Sequence, residues 1–253
     1  MAYLESGISR RFRSPAIISF SLLLSAFLYA VAAPALRPLL GAIARPAAVV
    51  PWQMVVLLRT AEVYIISYTG QSLNEAALTA FLARVPILHL LNASFSIPAY
   101  ALVLVSAIDV SSIFIPFWLI RHVRSQCPPQ DKVFSGLYTA LSATILSIAI
   151  YVGSKTWYPH LVLTHFDGIR SVVPIPLPLL VVGLLPAGWA LQEIFTIRGS
   201  KGLASLLAQM IVVATGNIWL SVRGADLAGV IGISGAWAMQ ILITAAILKW
   251  VGV

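Results

Sequence analysis

Residues 99–118 read AYALVLVSAIDVSSIFIPFW, with Asp109 as the single charged side chain. A helix that crosses the hydrocarbon of a bilayer needs about 20 mostly apolar residues, and this stretch supplies them. Apolar runs of the same kind recur at 15–36, 47–69, 95–120, 133–153, 173–195, 202–222 and 226–250, which makes seven clear spans. The first follows the basic head Arg10, Arg11 and Arg13. It is longer than a secretory h-region and has further spans behind it, so it reads as a retained signal-anchor helix.

The chain as a whole agrees. Of 253 residues, 60% are hydrophobic and 9% charged, against about 25% charged in an ordinary soluble domain. So little charge cannot cover a globular surface in water. The expected fold is all-α, a polytopic transmembrane bundle of seven to eight spans, built as one integral-membrane domain over 1–253. Cys127 is the one cysteine, which excludes a disulfide scaffold and a cysteine-rich metal module. The basic residues stand singly between apolar runs rather than forming a stripe, so no nucleic-acid partner is expected. The partner that composition implies is the lipid bilayer.

Residues 73–91, LNEAALTAFLARVPILHLL, are ambiguous because they carry Glu75, Arg84, Pro86 and His89. Charge placement argues that they cross. In that case one side holds Arg10, Arg11, Arg13, Arg121, Arg124, Lys132, Arg198, Lys201 and Lys249, and the other Arg37, Arg45, Lys155, Arg170 and Arg223. Lys and Arg concentrate in cytoplasmic loops. The expectation is therefore eight spans with both termini cytoplasmic.

Small residues bring helices together in lipid. Gly224, Ala228, Gly232 and Ala236 recur every four residues along the last span and are expected to glue the bundle. The run Val173-Pro174-Ile175-Pro176-Leu177-Pro178 cannot begin as a regular helix, because each proline lacks a donor and restrains its predecessor. An extended approach to that span is expected, with a kink near Pro186 and a cavity-lining position. Residues 154–172 read as a loop. Its His160, His165 and Asp167 are metal-compatible types at no recognised metal spacing, and no metal is expected. Asp226 should cap the last span, and Asn92-Ala93-Ser94 fits the glycosylation pattern in a loop too short to use it.

Charge inside a span is costly and marks function by default. Arg59 and Glu62 lie three apart and share a helix face, with Tyr64 and Tyr68 nearby; the pair reads equally as a self-neutralising pin between helices or as part of an active site. Asp109 has no basic residue on its own helix within two turns. Desolvation favours its neutral acid form unless Arg59 or Arg84 reaches it, and a neutral acid in an apolar cavity suits general-acid work. The plainer account of Asp109 is an acid hydrogen-bonded to Ser106, Ser111 or Ser112. Glu193 reads as an interfacial salt bridge with Arg198 or as part of a substrate site. Inward-facing aromatics, among them Tyr64, Tyr68, Trp118 and Trp189, would offer ring faces to a cation. Phosphate-binding Gly loops, Gly-x-Ser-x-Gly and His-Glu-x-x-His are absent, and no cofactor is expected.

In length, span density and isolated intramembrane acids, here Ala61-Glu62 and Ile108-Asp109, the chain resembles the small polytopic terpene cyclases of fungal meroterpenoid and indole-diterpene pathways. The Trp-Glu pair of their best-known branch is not present. The resemblance implies a membrane enzyme of secondary metabolism in the endoplasmic reticulum, beside partner enzymes, that cyclises an apolar isoprenoid-like substrate. Asp109, Glu62 and Arg59 would be its catalytic residues, and Tyr64, Tyr68, Trp118, Trp189 and Glu193 would contact substrate. On that reading, Asp109→Asn or Glu62→Gln abolishes turnover and leaves stability intact. The alternative is a small transporter or a non-catalytic subunit of a membrane complex.

Overall fold

The computed structural model describes residues 10–41, 43, 51–68, 73–121, 132–169, 172–198 and 203–251. Cys127, Arg45, Arg124, Arg170 and Lys201 lie outside the described residues. Among those described, every regular element is helical: α1 (Arg10–Leu40), α2 (Trp52–Tyr68), α3 (Leu73–Phe95), α4 (Ala99–Arg121), α5 (Lys132–Lys155), α6 (Tyr158–His165), α7 (Leu177–Arg198), α8 (Leu203–Ser221) and α9 (Leu227–Val251). Seven of them, all but α2 and α6, are long and apolar enough to cross a membrane.

The surface carries the solvent preference of a bilayer protein. Leu23, Val31, Val103, Leu179 and Val182 face outward, whereas Ser21, Ser142, Ser147, Gln192 and Thr244 are fully buried. An apolar surface of this extent is unfavourable in water and unremarkable in hydrocarbon. The protein is an integral membrane protein.

Hydrogen bonds between loops give the alternation of the helices. The Arg223 N–H donates to the Ile43 carbonyl (2.9 Å), Val173 N–H to Ala93 (3.0 Å), Asp167 N–H to Gly224 (3.3 Å) and Asp226 N–H to His165 (3.1 Å). The segments that follow α1, α3, α6 and α8 therefore share one face. Because α3 ends on that face, it begins on the other, and α2 must carry the chain back across between them. At 17 residues and 1.5 Å per residue, α2 is about 25 Å long, short for a span but placed as one. Eight of the described helices run between the two faces, and α6 lies on one of them.

Expectations about individual segments fare differently. The doubtful stretch becomes α3, the most deeply buried of the candidate spans. Of the run 47–69, read as a clear span, Trp52–Tyr68 is helical, and 47–50 and 69 lie outside the described residues. The expected loop 154–172 contains α6, with a proline in its first turn, where its missing N–H costs nothing. Asn92, Ala93 and Ser94 fall inside α3 rather than in a loop. Val172–Pro176 is non-helical before α7, as the proline run requires, and α7 continues unbroken through Pro186.

Close packing holds α5 to α7. A Cβ built on Gly188 would lie 2.7 Å from both the Thr139 carbonyl oxygen and the Ala143 nitrogen, so only glycine lets the two backbones approach this far. One turn on, buried Gln192 accepts a hydrogen bond from Thr139 Oγ1 (2.8 Å) and donates to Ser135 Oγ (3.3 Å). Of the small-residue seam expected along the last span, Gly232 meets Leu161 of α6 and Gly224 meets Asp167; Gly229, outside that seam, meets His165 and Phe166. The seam is thus internal at Gly224 and Gly232, whereas Ala228 is exposed.

Pro86 within α3 has no N–H to offer the Leu82 carbonyl four residues back. The Trp237 indole N–H of α9 takes that place, donating to Leu82 O at 3.0 Å. A freed backbone acceptor in the middle of the bundle is thus satisfied from a neighbouring helix, as lipid surroundings demand.

Candidate functional site

Three helices bring charge to mid-depth. Arg59 and Glu62 lie near the centre of α2, Arg84 near the centre of α3 and Asp109 near the centre of α4. Arg59 Nη1 is 2.6 Å from Glu62 Oε2, and Arg84 Nη2 is 3.1 Å from the same oxygen. Asp109 Oδ1 is 3.8 Å from Arg59 Nη2, and its Oδ2 is 3.3 Å from Arg84 Nε. From α1, the Tyr29 hydroxyl donates to Asp109 Oδ1 at 3.1 Å. Arg59 also donates to the Asp109 carbonyl at 3.0 Å and to Ser112 Oγ.

Each arginine meets both acids, and the four formal charges sum to zero. Glu62 is 1% exposed. A buried charge stripped of a partner is far more costly than a buried pair, so the quartet ties α2, α3 and α4 into one unit, with α1 joined through Tyr29. Asp109 is consequently not an isolated acid: both arginines named as its possible partners reach it. Ser112 does approach it, but its hydroxyl donates to the backbone carbonyl of Asp109 (2.8 Å) rather than to the carboxylate.

Beside the quartet lies a cavity of about 480 Å³. It runs from Tyr29, Arg59, Arg84 and Asp109 towards the face where Ile43 and Ser221 sit, with its other walls from α1, α2, α3 and α8. Three of the four aromatic residues expected to line a pocket are elsewhere. Tyr64, Trp118 and Trp189 are 53%, 52% and 47% exposed on the outer surface, and none borders this cavity. Tyr68 closes α2, and its side chain lies outside the described residues. Glu193 is half-buried on α7, next to Gln192, and is not among the residues that line this cavity. Arg84 was legible as a charge within a span; Tyr29 carried no signal, because its role arises only when α1 packs on α4.

On the face that carries α6, His165 Nδ1 lies 2.7 Å from Asp226 Oδ2. Asp226 Oδ1 accepts the Gly229 N–H at 2.7 Å, the expected helix cap. That bond, with His165 beside it, holds the Asp226 carboxyl below the usual carboxylate range. Among the described residues, no three His, Cys, Asp or Glu side chains gather as a metal site.

The geometry defines a polytopic membrane helix bundle with a self-neutralised charge cluster at its centre. Residues 131–251, which contain α5 to α9, match the family described as Bouquet formation protein 3 C-terminal domain. Comparison with curated proteins and with solved structures finds no match. The family match overturns the resemblance to terpene cyclases and, with it, the reading of a cyclising enzyme of terpenoid biosynthesis. The quartet lies outside the matched residues, and its internal pairing gives the physical reason why isolated acids were the wrong premise.

Proposed function

We propose that this protein is a non-catalytic subunit of a membrane complex, with α5–α9 as the part shared with proteins of bouquet formation. The observation that carries this reading is the match of residues 131–251 to the Bouquet formation protein 3 C-terminal domain. The quartet supports it, since acids committed to two arginines favour a structural role over proton transfer. The whole chain acts as one domain on this reading, with α3 packed against helices of both halves. Both termini lie on the cytoplasmic side, from the nine-to-five distribution of basic residues. Placement in the endoplasmic reticulum rested on the cyclase resemblance and has lost its support.

Native electrophoresis of the tagged chain, extracted from its own membrane in mild detergent, tests the subunit reading. A discrete particle containing a stoichiometric second polypeptide is expected. A chain that migrates only as a single copy under every mild extraction overturns it. Loss of the chain should also impair bouquet formation in its host, and normal bouquets without it would remove the process from the proposal.

A further inference from the structure

The cavity beside the quartet is too large and too selectively lined to be a packing fault. Its volume of about 480 Å³ falls within the roughly 300–1,000 Å³ of sites that hold small molecules. Most of its wall is aliphatic, including Leu22, Ala26, Leu88 and Leu220. At one side stands Asn217 of α8, 6% exposed, whose Nδ2 has no hydrogen-bond partner. The Arg59 Nε is likewise buried and without one. A buried donor left unpaired costs about 1–3 kcal/mol.

The polar chemistry of the wall selects among ligands. Two guanidinium groups and the Asp109 carboxylate face the cavity. With Glu62 their charges cancel, so a cation at mid-depth would have no net negative charge to meet. The carboxylates of Glu62 and Asp109 already balance both arginines, so a full anion at mid-depth would have no net positive charge to meet. What remains unanswered is a hydrogen-bond acceptor on an otherwise hydrocarbon body. We infer that the cavity between α1, α2, α3, α4 and α8 holds a neutral membrane lipid, with its hydroxyl or carbonyl oxygen accepting from Asn217. Two sources share that chemistry, a sterol hydroxyl and the ester carbonyl of a diacyl lipid. The lipid is held without being converted, and the inference does not depend on which polypeptide the protein partners.

Photolabelling of the full chain in phosphatidylcholine nanodiscs tests it. One probe is a sterol with a ring diazirine, the other phosphatidylcholine with a diazirine in its acyl chain. Label is expected at Leu22, Ala26, Leu88 and Leu220 in excess over the outward positions Leu23 and Val103, and the probe that labels identifies the source. Asn217→Leu should lower cavity labelling about fivefold, the worth of one hydrogen bond. The same substitution should leave thermal stability unchanged or raised, because it removes an unpaired donor. Ala26→Phe, which fills the cavity from α1, should lower labelling independently. Cavity positions labelled no more than Leu23 and Val103 by both probes overturn the inference, as does cavity label that survives both substitutions.

Discussion

Helices α1–α4 and α5–α9 solve the same problem with different chemistry. Lipid gives apolar helices little reason to associate, so each half needs contacts that lipid cannot replace. In α5–α9 these are short-range and steric: Gly188 seats α7 on the backbone of α5, and Gln192 bonds Thr139 beside it. In α1–α4 they are electrostatic, four charges from three helices plus the Tyr29 hydroxyl. A sterically packed half leaves little empty space. The electrostatic half encloses most of the wall of a large cavity, because long charged side chains hold their helices apart as well as together. The half that matches a known family is the sterically packed one.

The contrast can be broken most forcefully at the quartet. Arg84→Met leaves Glu62 and Asp109 with one shared cation; removal of one partner from a buried pair costs about 3–5 kcal/mol. A large fall in melting temperature in detergent is expected. Glu62→Gln and Asp109→Asn should also destabilise, opposite to the intact stability that an acid catalyst would show. Combining Arg84→Met with Asp109→Asn should cost less than the sum of the two, measured by the same melting curves.

Gly188→Ala probes the other half. Its methyl would meet backbone rather than a yielding side-chain tip, and overpacking of this kind costs about 1–3 kcal/mol. Hydrogen exchange should rise in α5 and α7 with little change in α2 and α4. Equal exchange in both halves would show that they do not differ as described.

Trp237→Phe tests the tie between halves. The ring is retained, but the Leu82 carbonyl freed by Pro86 loses its donor. An unsatisfied buried acceptor costs about 1–3 kcal/mol, towards the lower end if a water molecule replaces the indole. Exchange should increase in α3 around residues 82–86, and Trp237→Phe in a Pro86→Ala background should cost markedly less.

The smallest effect concerns the α9 cap. The Asp226 carboxyl is held below its ordinary range, so its contribution is complete above the unfolded value near 4. It disappears as pH falls through the lower folded value. Local exchange at residues 226–230 should increase on acidification across that window, and Asp226→Asn should flatten the response.

The spans were legible because hydropathy is a property of one window of sequence, and 99–118 carries it almost alone. Residues 73–91 were ambiguous for a reason that the fold explains. The four residues that made it ambiguous have inward places: Arg84 in the quartet, Pro86 opposite Trp237, His89 against Tyr158 with ring centroids 5.3 Å apart, and Glu75 buried. A helix enclosed by protein tolerates polarity that a lipid-facing helix does not. The aromatics misled in the opposite sense, because a tyrosine or tryptophan within a span reads the same whether it faces a cavity or the bilayer.

Composition and the placement of apolar runs by themselves determined an all-α protein that lives in lipid, since transfer free energies add residue by residue along a helix. Only the tertiary structure decided that Asp109 has two arginines and a tyrosine around it, because attraction between charges depends on distances across helices. Those distances are set by how α1 to α4 pack, and no window of the chain contains them.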